Sequence, residues 1–238
     1  MKKRNLLLAA LLLILVAPSF AAKVDTLLVN SPSMNKDVQV VVVTPDAALG
    51  KKAVACPVIY LLHGYGGNAK TWIGVKPDLP QIADEKGIIF VCPDGKNSWY
   101  WDSPKDPSYR YETFVSSELV KYIDGHYKTI ADRKGRAITG LSMGGHGAMW
   151  NAIRHKDTFG AGGSTSGGVD IRPFPLNWDM SKQLGEFAYN KKVWDEHTVI
   201  NQIDKIENGD LAIIIDCGEA DFFLNVNKDL HLSLIHIS

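Results

Sequence analysis

RAITGLSMGGHGA, residues 136–148, is the stretch on which the fold turns. Its first six residues form a short, nearly continuous apolar run of the kind that suits a strand buried on both faces. From Gly144 a helical pattern runs to His155. Between them Gly140-Leu141-Ser142-Met143-Gly144 sets a serine on a sharp strand-to-helix turn. Such a turn closes only if the flanking positions are small enough for neighbouring backbone to approach. The helix that follows then starts beneath the serine, where its free amides favour developing negative charge. Ser142 is therefore the candidate nucleophile.

Working outward, two β-like segments cover 24–30 and 38–44, with Ser31-Pro32-Ser33 as punctuation between them. Solid apolar runs follow at 58–62, 88–92, 136–141 and 211–216. Helical patterns alternate with them at 79–86, 111–127, 144–155 and 193–206, while 97–110 and 160–178 read as loops. Alternation of this kind predicts one α/β domain, a three-layer sandwich around a mainly parallel sheet with helices on both faces. Ligands in such sheets bind beyond the carboxyl ends of the strands. The ends after Leu62, Cys92, Leu141 and Asp216 all carry unusual residues.

After Leu62 comes HGYGG, residues 63–67. A serine acyl-transfer site needs a second backbone amide for its oxyanion, and glycines there let the loop fold over the site. The expected donors are the amides of Tyr65 and Met143, with Gly64 as the alternative to Tyr65; His63 is expected to hold the loop. After the 211–216 run comes DCGEAD, residues 216–221. The acid of such a triad follows the serine in chain order. Asp221 lies in the loop and is favoured over Asp216 and Glu219. Trp99 and Trp101, on the loop after Cys92, are candidate substrate-stacking residues, with packing of that loop as the competing role. Glu112, Asp94 and His146 are expected to be structural.

HGYGG, then PDGKNSWYWDSP at 93–104, RAITGLSMGGHGA and DCGEADFFL at 216–224 occur in that order within residues 38–229. Together they resemble the esterase D family of α/β-hydrolases, which includes S-formylglutathione hydrolases, feruloyl and acetylxylan esterases and mycolyltransferase antigens. The resemblance implies the α/β-hydrolase fold and a Ser-Asp-His acyl-enzyme mechanism, with Ser142 as nucleophile. The second aspartate of the family's D-x-G-x-x-D phrase, Asp221, is its acid.

The ends of the chain add expectations of their own. Lys2, Lys3 and Arg4 precede an apolar run over 6–16, and Ser19 and Ala21 place small residues before a cleavage site. Residues 1–21 thus read as a signal peptide and 22–238 as the hydrolase domain, periplasmic or secreted and without stable membrane insertion. Export and the resemblance together point to acetyl or feruloyl esters on carbohydrate, a small-molecule or polysaccharide substrate. Transfer of the acyl group to a sugar, or carbohydrate binding without catalysis, are the competing readings. With 26 basic and 26 acidic side chains the formal charge is zero, which offers no footprint for nucleic acid. Cys56, Cys92 and Cys217 are expected as buried free thiols, a disulfide between two of them being the alternative; no cofactor or metal is expected. Beyond Asp221 the fold needs a helix, a strand and a histidine loop, roughly 25 to 40 residues. Only His231 and His236 follow, the first within the helix itself and the second in the tail LSLIHIS. The chain is therefore expected to lack the C-terminal strand and the histidine loop, and with them most triad catalysis.

Overall fold

The computed structural model describes residues 22–235. Residues 1–21, where a signal peptide is expected, and His236 lie outside the described residues. Seven strands form one sheet: β1 (Lys23–Ser31), β2 (Lys36–Thr44), β3 (Val58–Leu62), β4 (Ile89–Pro93), β5 (Arg136–Gly140), β6 (Ala161–Thr165) and β7 (Ala212–Asp216). Their spatial order is β1-β2-β4-β3-β5-β6-β7. The β1–β2 and β2–β4 pairs are antiparallel and all the others parallel. The helices are α1 (Thr71–Val75), α2 (Leu79–Lys86), α3 (Tyr111–Thr113), α4 (Leu119–His126), α5 (Met143–Arg154), α6 (Met180–Leu184), α7 (Lys191–Glu196) and α8 (Leu224–Ile235).

Alternation along the strands builds two cores. Val40, Val42, Tyr60 and Leu62 face the larger one, against α4 and α5. Val41, Val43, Leu61, Phe90 and Cys92 face the smaller one, closed by Leu79 and Ala83 of α2. This is the three-layer, mainly parallel architecture that the apolar runs predict.

Three elements differ from the sequence expectation. The stretch expected as a loop over 160–178 opens with β6, whose AGGST sequence has little strand propensity. Helix α5 crosses it so closely that a Cβ on Gly162 would stand 2.7 Å from the Ala152 methyl. Close packing selects small residues here, and sheet pairing on both sides supplies what propensity does not. The expected helix over 193–206 breaks into α7 and a 3₁₀ segment, Val199–Lys205. Its last carbonyls are taken by side chains: His197 Nδ1 bonds Val193 O at 2.7 Å and Thr198 Oγ1 donates to Trp194 O at 2.8 Å. Finally, β7 alternates between half-buried and exposed instead of being buried on both faces, and Ile214 is 74% exposed. It is the edge strand among the described residues, so one side has no neighbour. Beside it Ile59, Ala137, Thr139, Ala161 and Gly163 line an open depression of about 230 Å³ on the α2 side of the sheet.

Candidate active site

Ser142 stands between β5 and α5 with φ 57° and ψ −116°, outside the regions open to an ordinary L-residue. Such strain persists only where the surroundings over-determine it. Its amide donates to Thr165 O at 3.0 Å, and its carbonyl accepts from His146 N at 3.0 Å and Gly168 N at 3.4 Å. On either side of it, Leu141 N donates to Leu62 O and Gly144 N to Leu141 O. Gly144 is required by contact: a Cβ there would run into the Leu62 carbonyl. The turn thus presents Ser142, partly exposed, at the carboxyl ends of the strands and at the N-terminus of a twelve-residue helix with no acidic residue in its first turn.

The loop after β3 is tied down from behind. His63 is buried; its Nδ1 donates to Gly64 O at 2.7 Å and its Nε2 accepts from Gly95 N at 2.9 Å. Both ring nitrogens are thereby committed to backbone, and the Tyr100 hydroxyl donates to His63 O at 3.2 Å. Gly66 N donates to Asn97 Oδ1 at 2.9 Å, which joins the same two loops further out. Among the described residues the amides of Tyr65 and Met143 donate to no protein acceptor, and neither does that of Gly64. Unpaired amides beside a strained serine are what an oxyanion site requires.

Trp99 and Trp101 are not surface platforms. They are 1% and 0% exposed, stacked on one another at 5.7 Å, with their edges against the His146 ring. Left-handed backbone at Trp99 and Tyr100 (φ 57° and 60°) turns the loop into the core, where both indoles pack against the body of the protein. His146 is fully buried, its Nδ1 donates to Gly168 O at 2.9 Å, and burial pulls its pKa down to about 3. Glu112 is an anchor at the other end of α5, bonded to Trp150 Nε1, Arg154 Nε and His155 Nε2, each at 2.8 Å. Burial raises its pKa, but these partners more than offset that and hold it at about 2. A concavity of about 1060 Å³ opens here and not at the serine.

Of the candidate acids, Asp216 accepts from Thr165 Oγ1 at 3.2 Å at the end of β7. Asp221 sits in the following turn, where its Oδ1 accepts from Phe223 N at 2.7 Å; its Oδ2 has no partner among the described residues. Among the described residues no hydrogen bond joins the Ser142 or Asp221 side chain to a histidine ring. His231 lies on α8 beside Glu207, Leu211 and Ile213, at the start of β7 and away from the strand ends. All three cysteines are free thiols, and burial pushes Cys92 up to about 12. No group of three metal-ligating side chains is present among the described residues. No helix there is long and apolar enough to cross a membrane.

Two features around the site carry no local sequence signal. Asn97, which holds Gly66, is a lone loop amide. Asp179, which accepts from the Tyr65 hydroxyl at 2.8 Å, lies 114 residues away in sequence.

Against known proteins, a family model described as "Putative esterase" matches residues 31–233. Esterase Rv1288 of Mycobacterium tuberculosis is 27% identical over 194 residues, covering 72% of this chain and 42% of its own length. The acetyl esterase of Caldicellulosiruptor saccharolyticus is 25% identical over 185 residues, covering 72% of this chain and 68% of its own. Among solved structures, a ferulic acid esterase superposes with a TM-score of 0.76 at 28% identity, covering 92% of this chain and 87% of that one. The chain thus spans less than half the length of the mycobacterial relative.

Proposed function

The chain belongs to this Esterase family, and from that premise we propose that it is an exported serine hydrolase of carboxylic esters, acting on acetyl or feruloyl esters of carbohydrate. The observation that carries the reading is the strained Ser142 at the start of α5 with unpaired amides beside it. Export rests on the composition of residues 1–21, and the acyl groups are those in the names of two similar proteins.

In the proposed reaction the Ser142 hydroxyl adds to the ester carbonyl while a histidine takes its proton. The carbonyl oxygen, now an anion, accepts from the Tyr65 and Met143 amides. Collapse of the tetrahedral adduct breaks the bond to the alcohol, which leaves with the proton from the histidine, and an acyl-serine remains. Water repeats the sequence and releases the acid. Asp221, through its unpaired Oδ2, orients the imidazolium. No described histidine ring is hydrogen-bonded to Asp221.

Turnover of 4-nitrophenyl acetate by the protein tests the reading. Ser142→Ala is expected to cut kcat on the order of 10⁶-fold with the melting midpoint retained. A variant keeping a tenth of the parent rate would reject Ser142 as nucleophile. Acetylated and feruloylated xylo-oligosaccharides then identify the acyl group.

A further inference from the structure

Beside the candidate nucleophile lies an aromatic surface that the chemistry above does not use. Gly168, whose amide reaches Ser142 O, is flanked by the rings of Trp99 and Phe223. Phe223 packs on Trp178 at 5.3 Å and on Phe222 at 4.5 Å. Trp178 and Phe222 stack nearly parallel, at 5.6 Å and 26°. Phe222 is 63% exposed, so an apolar face is turned to solvent next to the site.

Polar groups border that face. Asp179 follows Trp178 directly; its Oδ2 accepts from the Tyr65 hydroxyl at 2.8 Å and its Oδ1 lies 3.2 Å from Lys182 Nζ. Because Tyr65 also supplies an oxyanion amide, Asp179 is pinned one tyrosine side chain from the reacting carbonyl. Trp178 and Asp179 both hold left-handed backbone, φ 50° and 55°, a cost borne by two adjacent non-glycine residues. That conformation places the indole and the carboxylate on the same rim.

Resting on the esterase reading, we propose that Trp178, Phe222 and Asp179, with Tyr65 and Lys182, form a subsite for the sugar ring that bears the ester. An aromatic face takes the C–H face of a pyranose, and the carboxylate, phenol and ammonium at its edge exchange hydrogen bonds with adjacent ring hydroxyls. The Asp179–Lys182 pair cancels charge, which suits a neutral polyol and not an ionic ligand. A phenolic acyl group brings one hydroxyl and one methoxy oxygen to that edge, fewer hydrogen-bonding groups than the adjacent hydroxyls of a pyranose.

The test reads binding in the Ser142→Ala form of the protein, with xylobiose and methyl ferulate as probes and tryptophan fluorescence as the signal. Xylobiose is expected to bind, and Phe222→Ala and Asp179→Asn are each expected to weaken it about tenfold at unchanged melting midpoint. Should one variant fail to fold, the other decides. Absence of xylobiose binding, binding that neither variant weakens, or displacement of xylobiose by methyl ferulate overturns the subsite. Xylobiose binding in a chain that turns over no ester overturns the esterase reading alone. Ester turnover without xylobiose binding overturns the subsite alone.

Discussion

The strand that delivers Ser142 and the strand that delivers Asp221 are both five residues long and point their carboxyl ends the same way, yet they are built differently. β5 has a parallel partner on each side, and the turn that leaves it is held by Leu62, Thr165, His146 and Gly168. Among the described residues β7 has a partner on one side only, and the carboxylate beyond it is held by a single amide, that of Phe223. A strained backbone survives only under over-determined packing, so the nucleophile follows a strand paired on both edges. The acid needs no strain and is placed by a turn.

The largest effect expected from this contrast is catalytic. Asp221→Asn is expected to lower kcat about 10⁴-fold with the fold intact. Asp216→Asn is expected to change turnover by less than about tenfold, because its carboxylate already serves Thr165 at the strand end. The reverse ranking of the two in steady-state kinetics would move the acid to the strand.

The contrast also explains what could be read in advance. β3 was legible because near-complete burial writes itself as an unbroken apolar run, and β5 because it runs straight into a turn that needs Gly144. The exposure of β7 was not, since AIIID reads the same whether or not something lies across it. β6 was hidden by small residues chosen for the approach of α5, not for strand propensity. The sequence left stacking and packing as competing roles for Trp99 and Trp101, because their burial is set by backbone turned at Trp99 and Tyr100, which composition does not record. The Tyr65–Asp179 bond spans too much sequence for any local pattern to show it.

A stability test presses on the closed side. Gly144→Ala forces a methyl into the Leu62 carbonyl, which belongs to the sheet and cannot swing aside. The expected cost is about 4 kcal/mol by urea denaturation, above the usual range for overpacking because backbone is struck. Gly218→Ala, in the turn after β7, meets only the Asp221 Cβ at 3.8 Å and is expected to cost under about 0.5 kcal/mol. Equal costs would mean that the two turns are equally constrained.

Support for the closed side is also expected to be acid-labile. Glu112 grips the end of α5 opposite Ser142, with its pKa lowered from 4.5 to about 2. A depressed carboxylate stabilises the fold above its unfolded value and loses that contribution as pH falls toward the folded one. The window therefore runs from about pH 4.5 down to about pH 2, and the contribution lost across it is about 3 kcal/mol. Glu112→Gln should flatten the fall in melting midpoint over that range; an unchanged slope would remove Glu112 as its source.

The smallest effect comes from a matched pair. Ile138 and Ile214 are each the third residue of a five-residue strand, β5 and β7, at 0% and 74% exposure. Cutting Ile138 to alanine removes methyl groups from a site walled by neighbours that cannot collapse, at an expected 3–4 kcal/mol, about the usual cost of a core Ile→Ala change. The same cut at Ile214 in this chain removes surface already in water, so the transfer contribution nearly vanishes and no cavity forms. About 0.5 kcal/mol or less is expected there, from strand propensity alone. The two variants are compared by urea midpoint at a common slope, so that a change in the denatured chain is not mistaken for one in the fold. Ile214→Thr sharpens the comparison, keeping the β-branch while removing apolar surface from an unpaired edge. It is expected to leave the midpoint unchanged and raise the concentration at which the chain stays monodisperse, since exposed apolar edges template association. A loss of 2 kcal/mol or more at Ile214 would show the edge to be covered in solution, and the contrast between the two strands would fall with it.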